Sequence, residues 1–264
     1  MKLLNKGEYT GEIVSKMTIH DSIVTTTHYS SKENNSDWHS HENLHICFVF
    51  QGGKAETKKE TSYTQKGGSI FFYHAQEKHR WISPNPVSKS ANIEIGHDFL
   101  TQYSLKEPEI KKAIQENVSA KTLMLKMQQE MILNESNSYN SLENLLLELV
   151  SFSKGSETKK TPAWITSLTE LLHDQWNEPM SLHEIALIIG VHPVTVSKFF
   201  RKYFSCTLGE YQRKLKIEKS IQLIKESELS LTEIAFLCGF TDQSHFIRNF
   251  KKMTGFLPKD FQRF

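Results

Sequence analysis

The chain has 264 residues, 38% hydrophobic and 11% aromatic, with a formal net charge of +2. That length suits one or two domains, the apolar content excludes wholesale disorder, and the charge by itself carries no sign of a nucleic-acid partner. No run of about 18 apolar residues exists to span a membrane, the start lacks the apolar core of a secretion signal, and Cys47, Cys206 and Cys238 are too scattered for a disulfide framework or a CxxC metal site.

The cysteines read as buried small hydrophobes in a reducing compartment, so a soluble cytoplasmic protein is expected. Residues 12–96 carry short β-type runs: 23–27, 44–50, 69–73 and 92–95, with Gly52-Gly53 and Gly67-Gly68 as turn signals between them. Several strands of four to seven residues at close spacing argue for an all-β barrel or sandwich. After Pro108 the period changes. Residues 109–134 and 139–153 are apolar at helical spacing, and Leu142, Leu145, Leu146, Leu149 and Val150 share one helix face. That stripe reads either as a dimer seam or as packing within its own domain. Residues 153–162 are polar, contain Gly155 and Pro162, and read as a linker. From Ala163 onward the chain reads helical.

Of the histidines in the β half, five fall at residues 39–79. His39 and His41 share one face of an extended segment, and His45 has their parity; His74 and His79 follow. The arrangement resembles the two cupin motifs. The first runs His-x-His, three or four residues, Glu, six residues, Gly; here Gly52 stands at the expected distance and His45 takes the Glu position. The second runs Gly, five residues, Pro-x-Gly, two residues, His; here His74 and Gln76 replace Pro and Gly, and His79 is in place. The resemblance implies a cupin-like barrel and a ligand set of His39, His41, His45 and His79 for a divalent metal of Zn or Fe type. Without metal, the same histidines read as the lining of a polar effector pocket or of the barrel mouth. Trp38, Phe48, Phe50, Phe72, Tyr73 and Trp81 read as barrel core, with a few available to line that pocket.

The C-terminal hundred residues contain a repeat. Ser181-Leu-His-Glu-Ile-Ala-Leu-Ile-Ile-Gly190 recurs 49 residues later as Ser230-Leu-Thr-Glu-Ile-Ala-Phe-Leu-Cys-Gly239. Each copy opens with a capping box, Ser181 with Glu184 and Ser230 with Glu233, and ends on a glycine suited to a left-handed turn. A second helix follows each copy, from Pro193 after the first and from an N-cap at Asp242 after the second. Val196 with Phe200, and Phe246 with Phe250, face a core. Short helix, glycine turn, second helix is the helix-turn-helix pattern, in which the second helix enters the major groove. Lys198, Arg201 and Lys202 stand on the first of these helices, and Arg248, Lys251 and Lys252 on the second, with no acid between them. Thr207 to Ser227 reads as a connecting helix of roughly 30 Å, long enough to hold two reading helices about one DNA turn apart.

Residues 165–264 resemble the DNA-binding domain of the AraC/XylS family of bacterial transcription regulators. The family pattern stands here as Gly239-Phe240-x-Asp242-x-Ser244-x-Phe246-x-Arg248-x-Phe250-Lys251-Lys252-x-x-Gly255-x-x-Pro258, departing only at Phe261-Gln262. The resemblance implies base contacts from Val194, Ser197 and Lys198 and from Gln243, Ser244, His245 and Arg248. Arg248 and Lys198 suit guanine, Gln243 adenine and Val194 a thymine methyl. Arg201, Lys202, Lys251 and Lys252 suit phosphates. The expected fold is multidomain α+β. A cupin-like effector-sensing β-barrel (1–100) is followed by a helical coupling or dimerisation segment (101–155), a linker (156–162) and an all-α, homeodomain-like double helix-turn-helix domain (163–264).

The reading that follows is a ligand-responsive transcription regulator and not an enzyme. Its expected partners are double-stranded DNA, a small-molecule effector, RNA polymerase and a second copy of the chain, with no membrane. The alternative is a metal-dependent cupin enzyme, a dioxygenase or isomerase, using the same four histidines; it leaves the last hundred residues without a role. A ligand-free adaptor controlled by another protein also fits the β half. Residues 1–162 hold 19 basic and 19 acidic side chains, and residues 163–264 hold 13 and 11. The positive charge is therefore concentrated on the two reading helices rather than spread over a domain.

Overall fold

The computed structural model describes residues 2–30, 35–52, 54–58, 61–82, 87–151 and 162–264. Ten strands come first: β1 (Lys2–Leu4), β2 (Glu12–Ile19), β3 (Ser22–Tyr29), β4 (His39–His41), β5 (Leu44–Gln51), β6 (Lys54–Lys58), β7 (Thr61–Gln65), β8 (Ile70–Tyr73), β9 (His79–Ile82) and β10 (Ser88–Ile95). They form two five-stranded sheets, ordered β1-β4-β9-β6-β7 and β2-β3-β10-β5-β8. The four β-type runs of the sequence became β3, β5, β8 and β10. The expected barrel is corrected: among the described residues the two sheets share no ladder and do not close. Strand number and turn spacing are the same for a sandwich and a barrel; only whether edge strands pair separates them.

The second sheet sorts its side chains by the period of two. On β5, Ile46, Phe48 and Phe50 face the main apolar core, and on β10 so do Ala91, Ile93 and Ile95. Their alternating neighbours His45, Cys47, Ser90 and Asn92 face a polar cavity that residues of both sheets line. The layers are therefore first sheet, cavity, second sheet and helices.

The helices are α1 (His97–Gln102), α2 (Glu107–Glu116), α3 (Ala120–Leu133), α4 (Ser138–Ser151), α5 (Ala163–Asp174), α6 (Leu182–Ile188), α7 (Pro193–Phe204), α8 (Leu208–Glu226), α9 (Leu231–Leu237), α10 (Gln243–Thr254) and α11 (Pro258–Gln262). The segment expected to be helical over 109–134 is broken between α2 and α3. There the Asn117 side-chain oxygen accepts from the Ser119 amide at 2.8 Å, a local bond that competes with the helix. Leu142, Leu146, Leu149 and Val150 are buried in the chain's own core, and Leu145 packs against it. As a dimer seam the stripe is thus corrected: it is already covered. The linker expected at 156–162 lies, apart from Pro162, outside the described residues.

Helices α8 to α11 share the main core with the second sheet and with α2 to α4. At this junction the Phe264 ring stacks on Phe50 at 5.3 Å, and Lys121 of α3 pairs with Glu218 of α8 at 2.7 Å. Gly68, at φ +79°, brings the β7–β8 turn against α8; a Cβ there would lie 3.2 Å from the Ile221 carbonyl oxygen. Helices α5 to α7 have a separate core, Ile185, Ala186, Val196 and Phe200 with Leu168, Leu172, Tyr211 and Leu215. Cys47 and Cys238 are buried as expected; Cys206 is only half-buried. Among the described residues no helix is long and apolar enough to cross a membrane.

Candidate functional site

Both repeat copies fold alike for local reasons. The Ser181 hydroxyl accepts from the Glu184 amide at 3.3 Å, and the Glu184 carboxylate accepts from the Ser181 amide at 2.8 Å. Ser230 and Glu233 repeat this at 3.3 and 2.8 Å. The serine hydroxyl and amide hold each glutamate's carboxyl below its ordinary range. Gly190 and Gly239 both sit at φ +67°, the left-handed turn that leads into the second helix. His192 caps α7, its Nδ1 accepting from the Val194 amide at 3.3 Å. Asp242 caps α10, accepting from the His245 amide at 2.7 Å.

Each second helix buries one stripe, Val196 and Phe200 on α7 and Phe246 and Phe250 on α10. The opposite face is open. Val194 is 65% exposed, and Ser197, Lys198, Arg201 and Lys202 are exposed beside it. On α10, Ser244, Arg248, Lys251 and Lys252 are exposed, whereas Gln243 is half-buried. His245 is also half-buried, its ring edge-on to Phe240 at 5.4 Å. Leu187, Ile188, Phe236 and Leu237 are exposed apolar residues at matching positions of α6 and α9; their register in the repeat was the available signal, and the reading of the sequence passed over it.

The buried histidines form a second constellation. His39 and His41 come from β4 and His79 from β9, and the ladder pairs His39 directly with His79. All three are buried, and one ring nitrogen from each lies within 4.8 Å of the others. His45 does not join them. Its ring sits 4.5 Å from His41 and stacks on Tyr73 at 4.5 Å, while its Nε2 is 3.3 Å from Asn92 Oδ1. The expected four-histidine set is therefore corrected to three, because a bond to β10 turns the fourth ring away.

Burial pushes the His41 imidazole down to about 3 and the His79 imidazole to about 4; burial also drives His45 well below its usual value. These rings are neutral at pH 7. On the cavity's other walls stand Glu56, Gln65 and Tyr73; Tyr73 and, from outside the cavity, Tyr63 donate to Glu56 at 2.6 and 2.8 Å, and Gln65 donates to the same oxygen. Burial raises the Glu56 carboxyl above its ordinary value. Sequence reading missed Glu56, since a carboxylate in a short polar strand looks solvated. Of the aromatic residues assigned to core, Tyr73 and Trp81 are buried and also line the cavity, Phe48 and Phe50 are core, and Trp38 and Phe72 are half-buried.

A helix-turn-helix domain family matches residues 185–263. The HTH-type transcriptional regulator GbdR of Pseudomonas aeruginosa is 29% identical over 96 residues, 36% of this chain and 26% of GbdR, so the match spans about a quarter of that relative. The HTH-type transcriptional activator RhaS of Klebsiella pneumoniae is 22% identical over 241 residues, 85% of this chain and 87% of RhaS. The probable transcription factor PqrA of Proteus vulgaris is 33% identical over 88 residues, 33% of this chain and 72% of PqrA. A solved AraC-type regulator structure from Chromobacterium violaceum aligns with 38% of this chain and 89% of its own at 23% identity and a TM-score of 0.37. These relatives are transcription regulators rather than enzymes, and the chain belongs to the AraC/XylS family of transcription regulators.

Proposed function

We propose that this chain is a sequence-specific DNA-binding regulator whose N-terminal half senses an effector and whose residues 163–264 read DNA. The observation that carries this is the doubled unit: two capped helix–glycine–helix modules, each presenting a basic, acid-free helix face opposite its buried stripe. Val194, Ser197, Lys198, Ser244 and Arg248 contact bases, with Gln243 and His245 at the margin of that surface. Arg201, Lys202, Lys251 and Lys252 hold phosphates. The two facing sheets with their polar cavity serve as the cupin-like sensor (1–100), and helices of 101–155 couple it to the reader across the linker (156–162). The protein acts in the cytoplasm, where RNA polymerase is the natural recipient of its signal; a second copy bound on adjacent DNA is compatible with this arrangement.

The test is an electrophoretic shift on the DNA upstream of its own gene beside random-sequence DNA, across a salt series. Specific, salt-sensitive binding is the expected outcome. Equal affinity for both DNAs at physiological salt contradicts sequence-specific reading.

A further inference from the structure

The cavity between the sheets has a volume of about 30 Å³. A water molecule needs about 10–15 Å³ on this measure, so the space suits an ion with a water or two and is too small for a sugar-sized effector. Its wall presents ring nitrogens of His39, His41 and His79. The tautomers of two are set by their surroundings. His39 Nδ1 lies 2.8 Å from the Asp37 carbonyl oxygen, and His79 Nδ1 lies 2.9 Å from the Glu77 carbonyl oxygen. A carbonyl oxygen only accepts, so each Nδ1 carries the proton and each Nε2 carries the lone pair. Backbone anchoring of the distal nitrogen is how ligating histidines are oriented in metal sites. On His41, Nδ1 is buried without a hydrogen-bond partner, a cost that an additional group in the cavity would remove.

Three imidazoles with no carboxylate among them suit zinc or iron(II) rather than magnesium or calcium. Three ligands also leave a coordination position for water or a small anion. The site has a path to the reader half. His45 of β5 touches His41, Tyr73 touches His79 at 4.6 Å, and the far end of β5 carries Phe50, stacked on Phe264. We infer that His39, His41 and His79 bind one divalent transition-metal ion of the zinc or iron(II) class, and that this ion is the effector, relayed along β5 to the reader through Phe50 and Phe264. The relay rests on the reading of the N-terminal half as a sensor; the metal site stands independently of it.

The experiment uses the full chain without a polyhistidine tag, stripped with a chelator and titrated with cobalt(II), followed by displacement with zinc(II). Expected are one ion per chain, visible cobalt d–d absorption, and at least a roughly 100-fold weakening in His41→Gln and His79→Gln, with circular dichroism reporting that each variant is folded. Absence of stoichiometric binding to the folded wild type, or undiminished binding by the folded His39→Gln/His41→Gln/His79→Gln variant, overturns the site. DNA affinity is then compared with and without zinc(II). A metal-dependent change in wild type that is lost in Phe264→Ala, while Phe264→Ala still binds cobalt(II), supports the relay. Ion binding with unchanged DNA affinity overturns the effector role. A wild type that binds the ion but no DNA at all overturns the regulator reading and leaves the metal site in place.

Discussion

The two helix-turn-helix units repeat the same capped first helix and glycine turn but differ in what they pack against. The α6–α7 unit closes a core with α5 and the start of α8, to which Val118 is the only buried contribution among the described residues from before residue 151. The α9–α10 unit belongs to the core that also holds β5, β10, α3 and α4. Identical local signals thus build the same supersecondary unit, while its neighbours decide whether it is an appendage or a part of the body. The α9–α10 unit is the one placed to feel a change in the N-terminal half, and the α6–α7 unit follows through α8.

That comparison can be broken most directly through the two buried phenylalanine stripes. Phe250→Ala is expected to cost about 3–5 kcal/mol and to lower the urea midpoint of the β half together with the reader. Phe200→Ala should cost a similar amount but open α5–α7 locally, leaving amide protection in the sheets intact. Hydrogen exchange on both variants decides; identical protection losses would mean that the two cores are one.

The surfaces of the units should behave alike where their cores do not. Arg248→Ala is expected to lose about 1–3 kcal/mol of discrimination between operator and altered sites, whereas Lys251→Ala weakens all DNA alike and flattens the salt dependence. Titrations on two operator sequences at two salt concentrations separate these, and equal loss in both variants would remove the division between base and phosphate contacts. Ser181→Ala and Ser230→Ala should each cost about 1 kcal/mol of helix stability. Thermal unfolding that shows a clear loss for Ser230→Ala alone would sharpen the contrast, since only a cap coupled to global unfolding registers in the main transition.

A further contrast is a pH dependence at the junction. Burial pushes the Lys225 ammonium down to about 8, beside the Phe261 ring and the Gln262 carbonyl oxygen. A folded pKa below the unfolded value of about 10.4 means that the unfolded chain binds more protons between them. Stability from this group is therefore lowest below pH 8 and rises as pH climbs from about 8 to about 10. Urea midpoints at both ends of that window should differ in wild type and converge in Lys225→Met.

Much of the reader was legible before any coordinates. The helix expected from Thr207 to Ser227 is α8 with those two residues as its caps, because a cap and a run of helix formers are signals within one turn of each other. Capping boxes, positive-φ glycines and the repeat itself are of the same kind. The β half was less legible. Its four apolar runs were found, but β1, β4 and β9 span only three or four residues and β6 and β7 are polar, and their pairing is set by partners up to dozens of residues away. The histidine site shows the limit well: parity grouped His45 with His39 and His41, yet Asn92 on a different strand turns it aside.

What the sequence by itself determined is therefore what depends on neighbours within about one or two helical turns. That covers the doubled unit, its caps and turns, and the concentration of positive charge on α7 and α10 in a chain whose net charge is only +2. Tertiary structure alone decided that the sheets stay open, that the leucine stripe of α4 is covered internally, that three histidines rather than four converge, and that only the second unit joins the body. Each of these depends on contacts between residues far apart in the chain, whose closure is favoured by packing and shape rather than by local propensity.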